Sequence, residues 1–173
     1  MKYIILLRGV NVGGRTIKSP ELKSCFEKVG FENVQTVLAT GNVIIESNDK
    51  PEKLKLIIEK SLTSSFSYQA QVCVLSVEKL SEIVANYPFK DASAEYHRYV
   101  IFKDETPDAA ALAAVKLEDK LESIQTGDHV IYWRVLKGHT LDSDFAKQSA
   151  KTATKIFSTT RNLNTLERIL QKA

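Results

Sequence analysis

Val34-Gln35-Thr36-Val37-Leu38-Ala39-Thr40-Gly41-Asn42-Val43-Ile44-Ile45-Glu46 reads as two strands, residues 34–38 and 43–46, joined by a tight turn. Ala39 to Asn42 supplies the turn chemistry between two apolar, β-branched runs. Upstream, residues 2–8 read as a further strand, with an apolar run from Tyr3 to Leu7. Ser19-Pro20-Glu21 opens a helix, with Ser as N-cap, Pro at the first position and Glu near the positive end of the dipole. Leu22, Cys25, Phe26 and Val29 recur at helical spacing, and Gly30 stops the run. Downstream, Pro51 opens a second helix with Leu54, Ile57, Ile58, Leu62 and Phe66 on one face, and Gln71 to Leu75 is a fourth strand. The order β-α-β-β-α-β within residues 1–76 is the split-βαβ, ferredoxin-like plan.

Ser76 caps a linking helix through Leu80, Ile83 and Val84, so residues 77–95 read as a connector. Tyr96 to Lys103 is a strand, and Thr106-Pro107-Asp108 caps an alanine-rich helix reaching about Leu117. Leu121–Gln125 and Val130–Leu136 form a hairpin, and a helical region runs from Asp144 to Phe157. Thr159-Thr160-Arg161-Asn162 then interrupts the pattern before a last helix carrying Leu163, Leu166, Ile169 and Leu170 on one side. Residues 96–158 thus predict a second ferredoxin-like subdomain with its last strand missing or replaced, followed by a C-terminal motif and helix, 159–173. The expected class is α/β (α+β), with mainly antiparallel sheets. Strands Tyr3–Leu7, Val43–Ile45 and Val72–Leu75 are apolar throughout rather than alternating, which predicts a first sheet covered on both faces. The expectation is two subdomains packed into one rigid body.

Composition narrows the function classes. The chain has 173 residues, 43% hydrophobic and 26% charged, with net charge +3 spread among both signs. Nucleic-acid binders concentrate positive charge in a patch or stripe, and no such run is present. The opening apolar stretch is too short for a secretory signal, and nothing approaches a membrane span. The expectations are a cytoplasmic protein with no membrane partner, and with nucleic acid as the least favoured of the partner classes considered. Cys25 and Cys73 lie inside apolar patterns and read as reduced core residues. His97, His129 and His139 lack metal-ligand spacing, so no metal or cofactor is expected. Asp142 and Asp144 read as a helix start, and Trp133 as core.

The candidate site begins at Arg8-Gly9-Val10-Asn11-Val12-Gly13-Gly14-Arg15-Thr16, directly after the first strand. Glycines free the backbone for close approach, and arginines favour an anionic partner. In the split-βαβ plan the end of strand one lies beside the start of strand three. Arg8, Asn11, Gly13, Gly14, Arg15, Thr40, Gly41 and Asn42 therefore fall at one end of the sheet. Thr160, Arg161 and Asn162 stand at the mouth of the last helix, where free N–H groups suit an anion. The competing reading of that segment is helix capping by Asn162 or Asn164. The spacing of Gly9 to Thr16 imitates a P-loop, yet Arg15 stands where Lys is required and the helix starts several residues late. Strand three, Asn42–Glu46, carries no aromatic, which argues against base stacking on an open sheet.

Three functional readings follow. The first is a small anionic, phosphate-bearing ligand at these residues. The second is a non-enzymatic structural or protein-interaction module in which Arg8, Asn42 and Arg161 lock the two subdomains together. The third is phosphate-backbone contact with nucleic acid. No nucleophile–base pair is visible, so no reaction is assigned.

The chain resembles a bacterial family known as domain of unknown function 1697. The resemblance rests on Leu6-Leu7-Arg8-Gly9-Val10-Asn11-Val12-Gly13-Gly14, Val29-Gly30-Phe31-Glu32-Asn33-Val34, Thr40-Gly41-Asn42-Val43 and Thr159-Thr160-Arg161-Asn162-Leu163-Asn164-Thr165. It implies two ferredoxin-like subdomains and no established activity. Family members commonly have Ser where this chain has Thr40, often Trp in place of Leu163, and a Met just before the first helix where this chain has Ser19-Pro20.

Overall fold

The computed structural model describes residues 1–10, 16–89, 94–109, 112, 117, 120–152 and 157–173. By their contacts these divide into one unit of Met1–Ala85 with Thr165–Ala173, and a second of Asn86–Asn164.

The first unit holds β1 (Lys2–Leu7), α1 (Ser19–Lys28), β2 (Glu32–Thr36), β3 (Asn42–Glu46), α2 (Pro51–Phe66), β4 (Val72–Ser76) and α3 (Val77–Ala85). Its sheet has the order β2-β3-β1-β4, with every pairing antiparallel. Tyr3, Ile5, Leu7, Val43, Ile45 and Val72 share one buried cluster with Leu22, Cys25 and Phe26 of α1 and with Leu54, Ile58 and Leu62 of α2. The alternate residues Ile4, Leu6 and Ile44 point to the opposite face and are buried as well. Both faces of this sheet are therefore covered, as the unbroken apolar strands predict. Helix α3 packs on β1 and β4. Ser76 caps it as expected, its Oγ accepting the Lys79 N–H at 3.1 Å. At α1 the cap falls one residue earlier than the sequence suggests: Lys18 is N-cap, and Glu21 accepts its N–H at 3.4 Å. Both cysteines are free thiols; Cys25 is buried, whereas Cys73 is half-buried rather than fully in the core.

The second unit holds β5 (Tyr96–Lys103), β6 (Glu122–Gly127), β7 (Val130–Leu136), α4 (Asp144–Thr152) and β8 (Ser158–Asn162). Its sheet order, β6-β7-β5-β8, repeats the first unit's order strand for strand, again antiparallel throughout. The fourth strand read as missing is present: it is β8, the Thr159–Asn162 segment expected to be an irregular helix mouth. β-branched Thr159 and Thr160 suit a strand. Val100 lies opposite Arg161 and Ile101 opposite Thr160. One face carries a core of Ile101, Ile131, Trp133, Val135 and Phe145. Helix α5 (Leu163–Lys172) follows β8 without a loop, its residues from Thr165 onward belonging to the first unit; Leu163, Leu166 and Ile169 on it are buried. Most of the alanine-rich helix expected after Thr106 lies outside the described residues, as do residues 153–156 of the helical region expected to reach Phe157.

Candidate functional site

The loop after β1 and the β2–β3 turn meet, as the topology requires. The Leu7 N–H donates to the Gly41 carbonyl at 2.8 Å. Gly41 adopts φ +71°, and a Cβ there would stand 3.1 Å from Leu7 Cβ and 3.2 Å from Val10 Cβ. Only glycine combines that torsion with so close an approach. Leu38, at the tip of the same turn, also has positive φ (58°) and is exposed.

Asn42 organises this turn. It is 0% exposed, and its Nδ2 donates to the Val37 carbonyl and to Thr40 Oγ1, each at 2.8 Å. Its carbonyl takes the Val37 N–H at 2.9 Å. Thr40 is exposed, with its hydroxyl held in place from below. Arg8 is half-buried; its Nη1 donates to Gln71 Oε1 at 2.7 Å and its N–H to the Gln71 carbonyl at 3.0 Å. The arginine thereby ties the start of the loop to the entry of β4. Gly9 has φ +69°. Asn11, Gly13, Gly14 and Arg15 lie outside the described residues.

The third segment belongs to the second unit. Arg161 is 8% exposed, and its Nη1 donates to Thr159 Oγ1 at 2.8 Å and to the Thr160 carbonyl at 2.9 Å. Thr160 is exposed on β8. Asn162 caps α5, its Oδ1 accepting the Asn164 N–H at 3.0 Å. The capping reading of this segment is thus realised, and two of the arginine's bonds go to residues of its own strand.

One polar group in the second unit escaped sequence reasoning. Glu122 is 1% exposed, yet both of its oxygens are used: one accepts Trp133 Nε1–H at 2.9 Å, the other the Phe145 N–H at 3.0 Å. A lone acidic residue opening a short strand gives no sequence signal of this role. Among the described residues, no cluster of three or more His, Cys, Asp or Glu could hold a metal ion, and no helix is long and apolar enough to cross a membrane.

Residues 1–132 match the model of the family described as protein of unknown function DUF1697, and the chain belongs to that family. A conserved bacterial protein, SP0830 from Streptococcus pneumoniae, has a solved structure similar to this chain. It is 23% identical, with a TM-score of 0.80 over 99% of this chain and 97% of its own. At that identity the likeness shows the fold alone. None of the curated proteins matches the sequence.

Proposed function

We propose that the first unit binds a small phosphate-bearing anion where the loop following β1 meets the β2–β3 turn. The observation that carries this reading is the clamp made by Asn42. A fully buried amide fixes the turn and holds the Thr40 hydroxyl, and the turn meets the start of the loop at Leu7 and Val10; in sequence that loop carries Arg8, Gly9, Gly13, Gly14 and Arg15. A left-handed, exposed leucine at the turn tip costs on the order of 1–2 kcal/mol, and strain of this kind clusters at ligand clamps. Guanidinium groups and loop N–H groups together suit the oxygens of a phosphate.

Thermal melting of the full chain against phosphate, nucleotides and sugar phosphates tests the reading, with Arg15→Ala beside it. A ligand at 100 times its Kd adds about 2.7 kcal/mol. The stabilisation is expected in the wild type and absent from Arg15→Ala. No shift with any anion, or an undiminished shift in the variant, removes the reading. A second reading, in which the motifs serve only to hold the fold, is favoured by the internal bonding of Asn42 and Arg161 within their own units. It predicts early melting of Asn42→Ala and Arg161→Ala with no response to anions.

A further inference from the structure

The second unit carries a pair of arginines that none of its described residues neutralises. Arg98 on β5 and Arg134 on β7 are direct cross-strand partners, so they share one face of the sheet. Like charges in that relation repel and destabilise a strand pair. Among the described residues neither guanidinium meets a carboxylate. Arg98 donates from Nη2 to Asn164 Oδ1 at 3.0 Å, and Arg134 from Nε to Ser123 Oγ at 3.2 Å. Nη1 and Nη2 of Arg134, and Nε and Nη1 of Arg98, make no hydrogen bond to a described residue, and none of the four is sealed from solvent.

Arg134 is also held in place. Its guanidinium lies over the Phe89 ring at 5.3 Å and the Tyr96 ring at 5.1 Å. Two rings and a hydroxyl fix the head before any ligand arrives, which lowers the ordering cost of binding. Tyr96 is pinned in turn, donating to the Lys120 carbonyl at 2.8 Å. The buried Tyr87 hydroxyl lies in the field of both arginines and donates to the Trp133 carbonyl at 2.8 Å. At this cross-strand position two cations thus stand side by side, Arg134 held between rings, with several N–H donors that no described residue uses and no counter-ion among the described acids.

We propose that the Arg98–Arg134 pair is a binding site for a small phosphate-bearing anion, separate from the loop site of the first unit. An oxyanion accepting from both guanidiniums relieves their repulsion and fills their remaining donors. The shared chemistry is a phosphate group, and the probes are inorganic phosphate, pyrophosphate and adenosine monophosphate.

Binding of each probe to the full chain is measured by titration calorimetry at constant ionic strength, for wild type, Arg98→Gln, Arg134→Gln and Arg15→Ala. Each glutamine variant is expected to weaken binding roughly tenfold or more, with the Arg15 variant retaining this site. In the wild type, the arginine side-chain Nε–H resonances of Arg98 and Arg134 should move on adding phosphate and not on adding chloride, a readout independent of whether a variant folds. Unmoved resonances, or unchanged affinity in both glutamine variants, overturns the assignment. Loss of binding in Arg15→Ala alone also overturns it and leaves only the loop site. A response to a short RNA without any to the three small probes rejects the small-anion class.

Discussion

Trp133 Nε1–H donates to Glu122 at 2.9 Å, and the other oxygen of the same carboxylate caps the start of α4 through the Phe145 N–H. One buried acid thereby joins β6, β7 and α4. Trp133 stacks on Tyr99 at 5.2 Å between ring centroids and meets Phe145 at 5.3 Å, so the indole is fixed on its faces and at its nitrogen.

Glu122→Ala strands two buried N–H donors, each of which costs about 1.5–3 kcal/mol when bonded to a charged group. The expected loss is about 3–6 kcal/mol. Trp133 is the sole tryptophan, so its fluorescence during denaturant unfolding reports this unit directly. Glu122→Gln keeps one acceptor and should fall between the two. Unfolding curves that superimpose on the wild type would show that the carboxylate does not hold the helix.

Gly41→Ala tests the contact between turn and loop. The alanine meets both an unfavourable torsion and Cβ-to-Cβ distances of 3.1 and 3.2 Å to Leu7 and Val10. Gly30 has φ +92° but nothing within 4 Å of an added Cβ, so Gly30→Ala isolates the torsional cost, about 1–2 kcal/mol. Overpacking adds about 1–3 kcal/mol at position 41 alone. Equal losses for the two variants in chemical denaturation would mean that the loop yields freely to the turn.

The first unit was almost wholly legible because its periodicities are strong and its punctuation is explicit. Pro51, Gly30 and the Thr40-Gly41-Asn42 turn mark element ends, and the unbroken apolar strands announced a sheet buried on both faces. The second unit was read less well for a physical reason. β8 is polar, Ser-Thr-Thr-Arg-Asn, and pairs along only one edge, with β5. Its strand character comes from that backbone ladder rather than from apolar alternation, so a turn-like composition concealed it. The same concealment affected the site. The neighbourhood of the first loop and the Gly41 turn followed from topology, whereas the inward bonding of Asn42 and Arg161 depends on side-chain geometry that no pattern encodes. The arginine pair needed the β5–β7 register, which places residues 98 and 134 opposite each other.

Tyr87 gives a pH prediction. It is 2% exposed, and burial pushes its phenol above the ordinary value, with Arg98 and Arg134 opposing in part. The folded state keeps the proton where the unfolded chain, titrating near pH 10, has begun to lose it. The contribution is therefore fully present below about pH 10 and declines as pH rises past it. Tyr87→Phe should lose about 1 kcal/mol at pH 8 with the bond to the Trp133 carbonyl. It should also lose stability more slowly between pH 9 and 11. Parallel alkaline slopes for the two proteins in urea unfolding would assign the decline to other groups.

Arg161 separates the two readings of the Thr159-Thr160-Arg161-Asn162 segment on energetic grounds. A surface arginine waiting for a ligand can be removed at almost no cost to the free protein. Arg161, 8% exposed and bonded to Thr159 Oγ1 and the Thr160 carbonyl, cannot. Arg161→Ala leaves those acceptors without their donor and opens space in β8, at about 2–3 kcal/mol. In a chain of this length that lowers Tm by roughly 5–10 °C. Arg161→Lys retains the charge and a single donor group and should recover part of the loss. A melting temperature unchanged in Arg161→Ala would show that the guanidinium stabilises nothing in the free protein, and would return it to the set of groups available to a ligand.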